Sequence, residues 1–177
     1  AAHAVGVVHR DVKPANLFLA RAEDGAIVVK VVDFGVARMR EELVAPGSLT
    51  LTSTGIMLGT PLYMSPEQVQ GPKHVDHRTD VWSLGVVLYE MLVGATPWSD
   101  AETLGALLVA ICARPARPLA EAAPWVSPPT AALVARALAP DPKARTASAA
   151  ALFAELSAAL PRGSSLEEAD FSWRPES

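Results

Sequence analysis

Two short polar clusters interrupt the apolar N-terminal part of the sequence. One runs from Asp11 to Asn16 and contains Lys13; the other is Asp33-Phe34-Gly35. These side chains are of types that do chemistry on anions. A carboxylate can take a proton from a hydroxyl, an ammonium is a compact positive charge, and a carboxylate with an amide oxygen can share a hard cation that keeps several of its waters. Taken one at a time, Asp11, Lys13 and Asn16 fit equally well as ordinary loop polars, and an Asn before a strand commonly shapes a turn.

The elements that must position these clusters are legible around them. A short apolar run, Gly6-Val7-Val8, delivers His9-Arg10-Asp11 into a loop, and strands are predicted over 17–19 and 27–32. Glu23-Asp24-Gly25 supplies a turn between them, so the strands should pair as a hairpin with one polar cluster at the end of each arm. From residue 36 to 59 periodicity is lost and Thr, Ser, Pro and Gly accumulate, the pattern of a long functional loop. Helices are predicted over 67–70, 79–93, 101–113, 130–139 and 147–160. Pro97, Pro115, Pro118, Pro124, Pro128, Pro140 and Pro142 fall between them, where a missing N–H does least harm. The fold class is α+β, mainly helical, with one small β-hairpin. The chain opens on Ala1-Ala2-His3-Ala4-Val5-Gly6, which reads as the last turns of a helix stopped by glycine, and residues 161–177 read as a flexible polar tail in which Phe171 and Trp173 could dock.

Bulk properties narrow the function classes. With 177 residues, half of them apolar, the chain suits one domain, here 1–160, followed by the tail. A formal net charge of -4 and a pI near 5.5 offer no basic stripe for nucleic acid. The single cysteine, Cys112, excludes an intramolecular disulfide framework and reads as buried helix filler. The most hydrophobic stretch, 81–93, is broken by Glu90 and falls short of the roughly 18 apolar residues of a membrane span, so a cytoplasmic location is expected. His3, His74 and His77 have no partners at metal-ligand spacing and read as surface residues.

Order along the chain adds what single residues cannot. His9-Arg10-Asp11-Val12-Lys13-Pro14-Ala15-Asn16 resembles the catalytic loop of protein kinases at every defining position, and Asp33-Phe34-Gly35 follows one hairpin later, where that family carries its metal-binding triplet. Gly59-Thr60-Pro61-Leu62-Tyr63-Met64-Ser65-Pro66-Glu67, then Asp80-Val81-Trp82-Ser83-Leu84-Gly85, then Arg145 come next, all in family order. The ending Tyr-Met-Ser-Pro-Glu-Gln looks most like bacterial signalling kinases of the eukaryotic type.

The resemblance implies a serine/threonine kinase using ATP and Mg²⁺ on a protein substrate. In-line phosphoryl transfer needs positioning and electrostatics more than covalent chemistry. Asp11 is then the base for the substrate hydroxyl, Asn16 and Asp33 are the Mg²⁺ ligands, and Lys13 places positive charge at the transferring group. Asp-x-Lys-Pro-x-Asn belongs to serine/threonine rather than tyrosine kinases. Thr60 matches a threonine that bonds to the base and to the lysine. His9 and Phe34 are implied to pack in an apolar spine with Gly35 beside them, Glu67 and Arg145 to form an ion pair, and Asp80 to hold the catalytic-loop backbone. The alternative for Asp80 is a helix-terminal acid favoured by the dipole. Arg10 is implied to clamp a phosphate on the loop, with Thr50, Thr52, Ser53 and Thr54 as acceptors and a second copy as the enzyme in trans.

No Gly-x-Gly-x-x-Gly loop, Val-Ala-x-Lys strand or companion helix appears among the 177 residues. The chain therefore reads as a C-terminal kinase lobe without its nucleotide-gripping lobe, truncated rather than evolved to lack it, and inactive alone. A rival reading is a noncatalytic lobe that binds partner proteins; the retention of Asp11, Asn16 and Asp33 together argues for the catalytic one.

Overall fold

The predicted hairpin exists. β1 (Leu17–Arg21) pairs antiparallel with β2 (Ile27–Val31), with Leu17 opposite Val31 and Arg21 opposite Ile27. Val32 donates its N–H to the Asn16 carbonyl at 3.0 Å, which carries the ladder one step past the strands and brings the ends of the two polar clusters together. The computed structural model describes residues 2–23, 26–33, 60–71 and 75–159. Asp24, Gly25, Phe34, Gly35, Ser48, Thr50, Thr52, Ser53, Thr54, Gly59, His74 and the tail with Phe171 and Trp173 lie outside the described residues.

The helical body comprises α1 (Pro66–Gln70), α2 (Arg78–Val93), α3 (Leu104–Ala113), α4 (Leu119–Ala122), α5 (Pro128–Ala137) and α6 (Ala149–Ala159), with 3-10 turns at Ala2–Val5, Pro14–Asn16 and Thr60–Tyr63. The N-terminal segment is one 3-10 turn closed in Schellman fashion: Val7 N–H reaches the Ala2 carbonyl and Gly6 N–H the His3 carbonyl, both at 3.1 Å, with Gly6 at φ 76°.

Where a capping hydroxyl is present, it and not the first apolar residue sets the helix start. Thr103 accepts from Ala106 N–H at 3.1 Å, so α3 begins at Leu104 and not at 101; Ser148 accepts from Ala151 N–H at 3.1 Å, so α6 begins at Ala149 and not at 147. Pro128, expected between helices, instead opens α5 behind the Ser127 cap, because the first helical turn has no use for its missing N–H. The short α4, between Pro118 and Pro124, was not predicted.

Helix α2 is the central post. Val81, Trp82, Val86 and Tyr89 are buried along it, joined by Trp98, Leu107, Ile111, Leu133, Val134 and Leu152 from the surrounding elements. The Trp82 and Trp98 rings stack at 5.4 Å with 7° between planes. Each such large side chain contributes about 1.5–3 kcal/mol on burial, so this cluster anchors the post. A Cβ on Gly85 would sit 2.9 Å from the Ala137 Cβ, which shows how closely α2 and α5 approach. Cys112 lies half-buried on α3, and burial pushes its thiol pKa up, away from a reactive thiolate.

Candidate active site

The loop between Gly6 and Leu17 is built around one carboxylate. Lys13 Nζ lies 2.9 Å from Asp11 Oδ2, and Asn16 Nδ2 donates to the same oxygen at 3.0 Å and to the Asp11 backbone carbonyl at 2.8 Å. The 3-10 turn Pro14–Asn16 makes this convergence possible, since Asn16 N–H closes on the Lys13 carbonyl at 2.9 Å and folds the chain back over Asp11. Lys13 and Asn16 are both buried despite their polarity. With Nδ2 committed to Asp11, Oδ1 is the side-chain atom of Asn16 left to offer a cation.

Asp33 follows β2 at the end of the hairpin where Asn16 precedes β1. It is exposed and has a left-handed backbone, φ 55°, a conformation that Asp tolerates better than most residues. Asp33 and Asn16 are hard oxygen donors of the kind Mg²⁺ takes. Among the described residues there is no group of three or more His, Cys, Asp or Glu side chains that could hold a metal. That donor set suits a cation that takes one carboxylate and completes its shell with phosphates and water.

His9 ties the two clusters together. Its ring is buried, Nδ1 accepts from Asp11 N–H at 3.3 Å, and Nε2 lies 2.9 Å from the Val32 carbonyl. An acceptor at Nδ1 and a carbonyl at Nε2 together select the neutral Nε2–H tautomer.

The loop backbone is gripped from α2. Asp80, buried in the first turn, accepts from His9 N–H at 2.9 Å and from Arg10 N–H at 2.8 Å. His3 Nε2 also reaches Asp80 Oδ2, at 2.7 Å, so His3 is not the surface residue its sequence context suggested. His77 packs its ring 5.5 Å from that of His3 and donates to the Ala147 carbonyl at 2.9 Å.

Below the loop, Glu67 of α1 and Arg145 form a bidentate pair at 2.7 and 3.0 Å. The Arg145 guanidinium also donates to the carbonyls of Ala139, Arg78 and Pro140, and lies 5.1 Å above the Trp82 ring. The turn Thr60–Tyr63 leads into α1. Tyr63 donates its hydroxyl to Glu90 of α2 at 2.7 Å, and burial together with the Glu90 carboxylate pushes the phenol pKa well above its usual value.

Sequence reasoning did not single out Gln68, His3 or the Tyr63–Glu90 pair. A signal existed for Gln68, since Ser65-Pro66-Glu67-Gln68 has the spacing of a capping box, and the reciprocal bonds are formed: Ser65 Oγ accepts from Gln68 N–H and Ser65 N–H donates to Gln68 Oε1 at 3.0 Å.

A small hairpin that holds a carboxylate, a lysine and an amide at one end, mounted on a helical body by a buried helix-terminal acid, is the arrangement of a protein kinase. The chain belongs to that family: the model described as "Protein kinase domain" matches residues 1–156. It is 46% identical over 160 residues to serine/threonine-protein kinase Pkn1 of Myxococcus xanthus, covering 90% of this chain and 22% of that protein. It is 42% identical over 158 residues to PknL of Mycobacterium tuberculosis, covering 89% and 37% respectively. It is 39% identical over 154 residues to PknB of Mycolicibacterium smegmatis, covering 87% and 23%. The chain thus spans less than two-fifths of these relatives. No helix among the described residues is long and apolar enough to cross a membrane.

Proposed function

We propose that this chain is the C-terminal, catalytic lobe of a cytoplasmic serine/threonine protein kinase that transfers the ATP γ-phosphoryl group to a protein Ser or Thr hydroxyl. One observation carries the reading: Lys13 and Asn16 converge on a single oxygen of Asp11, at 2.9 and 3.0 Å. With Oδ2 so engaged, Oδ1 is assigned to the substrate hydroxyl, whose proton it accepts as the oxygen attacks phosphorus. Lys13 places its charge beside the transferring group, and Thr60 belongs to the same set. Asn16 Oδ1 and the Asp33 carboxylate are the ligands for Mg²⁺, which when bound offsets charge on the phosphate oxygens.

The lobe assignment is supported by the hairpin surface. Leu19 and its cross-strand neighbour Val29 on one face, and Phe18 on the other, are each more than half exposed, apolar surface of the kind that a packed partner covers. The nucleotide-gripping lobe is the proposed cover. Arg10 is proposed to bind a phosphate placed on Thr50, Thr52, Ser53 or Thr54 by a second copy in trans.

The test is transfer of labelled γ-phosphate from Mg-ATP to a protein substrate by the intact protein. Asp11→Asn is expected to lower the rate by about 10²–10⁴ with ATP affinity kept, and acid-stable phosphate should appear on Ser or Thr only. Wild-type rates in Asp11→Asn, or phosphotyrosine as the product, would refute the reading. Mass spectrometry of residues 48–54 after incubation with Mg-ATP tests the autophosphorylation step, which fails if no phosphate is found there.

A further inference from the structure

The backbone of Arg10, just before Asp11, is held at both of its flanking peptide groups. Arg10 has a left-handed backbone, φ 67°, a conformation non-glycine residues keep only where their surroundings over-determine it. Its N–H is taken by Asp80 Oδ1 at 2.8 Å, from α2. Its carbonyl is taken by Gln68 Nε2, also at 2.8 Å, from α1. The Asp80 contact is one half of a clamp, and Gln68 closes the other half.

Gln68 is equipped to hold this position. It is buried, and its Oε1 accepts from Ser65 N–H at 3.0 Å and from the Thr79 hydroxyl at 2.8 Å, while the Ser65 and Thr79 hydroxyls meet at 2.6 Å. The amide is therefore oriented by its oxygen, and the only way to present a donor to Arg10 is through Nε2. The neighbouring Glu67 fastens the same short helix to Arg145 on the body. Helix α1 thus has one residue tied to the helical base and the next tied to the catalytic loop, and it comes two residues after the turn Thr60–Tyr63.

We infer that Gln68 is a positioning residue for the base: it fixes the strained Arg10 peptide, and through it the aim of Asp11, and so couples the placement of the segment ending in α1 to phosphoryl transfer. The inference rests on the catalytic role of Asp11 proposed above. Displacing a catalytic group by about 1 Å can cost on the order of a hundredfold in rate, so a side chain that sets the backbone torsion one residue away has leverage on turnover without touching substrate.

The deciding variant is Gln68→Glu in the intact protein. It keeps an acceptor for Ser65 N–H and the Thr79 hydroxyl and turns the donor aimed at Arg10 into an oxygen, adding a negative charge that the uncharged Gln68→Met does not. Its control is Ser65→Ala, which removes the cap hydroxyl but leaves the Nε2 donor. Gln68→Glu is expected to lower kcat at least about tenfold with KM for ATP and peptide within about twofold, and to speed amide exchange at residues 9–13. Ser65→Ala is expected to lower the melting temperature while leaving kcat within about twofold and exchange at 9–13 unchanged. Should Gln68→Glu not fold, Gln68→Met, of similar length and without charge, takes its place under the same criteria. Wild-type kcat with unaltered exchange at 9–13 in the Gln68 variant overturns the inference, as does an equal loss of kcat in Ser65→Ala. The exchange measurement decides the clamp even if the wild type transfers no phosphate, a result that would sink the kinase reading alone.

Discussion

The carboxylate of Glu67 and the guanidinium of Arg145, 78 residues apart in sequence, meet in a buried bidentate pair at 2.7 and 3.0 Å. The Arg145 side chain has no exposed surface and that of Glu67 only 6%. Two charges withdrawn from water to this degree are held by each other and by the carbonyls of Ala139, Arg78 and Pro140. The pair fixes where α1 sits on the body, and removing one member leaves the other charge buried without compensation.

Arg145→Met is therefore expected to destabilise the fold by about 3–5 kcal/mol. Urea denaturation measures this as a lowered midpoint. The double variant Glu67→Gln with Arg145→Met should lose less than the sum of the two single variants, since the second substitution removes the stranded partner. Additive losses would show that the pair does not act as a unit.

Asp80→Ala removes the acceptor for two loop N–H groups and for the His3 ring. Each buried donor left unmet costs about 1–3 kcal/mol. The expected outcome is a lowered denaturation midpoint with the fastest exchange at the His9 and Arg10 amides. Faster exchange confined to the first turn of α2, with the His9 and Arg10 amides unaffected, would mean that the acid serves only the helix terminus.

Gly85→Ala ordinarily favours a helix by about 1 kcal/mol. Here the new methyl meets the Ala137 Cβ at 2.9 Å and Leu138 Cδ2 at 3.1 Å, so overpacking of about 1–3 kcal/mol should outweigh that gain. Adding Ala137→Gly removes the closest contact, and the two substitutions together should unfold at a higher denaturant concentration than additivity predicts.

The Arg78 guanidinium, 2.6 Å from Asp76, holds that carboxyl below the usual range despite a smaller opposing effect of burial. A depressed folded-state pKa means that the contribution is complete above the unfolded value, near 3.8, and is lost as pH falls through the folded one. Asp76→Asn should flatten the acid side of the stability profile below about pH 4. Partial exposure of the pair limits the effect to under about 1 kcal/mol, and it should shrink further in high salt. Thermal melts across the acid range check this.

Much of the fold was legible because it follows from local rules. The hairpin came from two apolar runs flanking a Glu-Asp-Gly turn, and its register past Val31 follows from the same pairing. The helical segments came from apolar stretches between prolines. Their starts were misplaced by two or three residues wherever a Thr or Ser cap competed with an earlier alanine, as at Thr103 and Ser148, because alanine extends a helix but offers no group to its free N–H donors. Helix α4 escaped because four residues between prolines are too few to show a period.

By itself the sequence determined which chemical groups are present and in what order: Asp11, Lys13 and Asn16 on one side of a turn, Asp33 on the other, then Glu67, Asp80 and Arg145. Only the tertiary structure decided what those groups touch. Gln68 reaches the Arg10 carbonyl across 58 positions, Asp80 reaches Arg10 N–H across 70, and His3 reaches Asp80 across 77. Such contacts depend on how α1 and α2 pack beneath the loop, and packing is a collective solution of the whole core that no local propensity encodes. The left-handed Arg10 peptide is its outcome: an unfavourable local conformation for arginine, kept because buried acceptor and donor groups on two helices meet it from both sides.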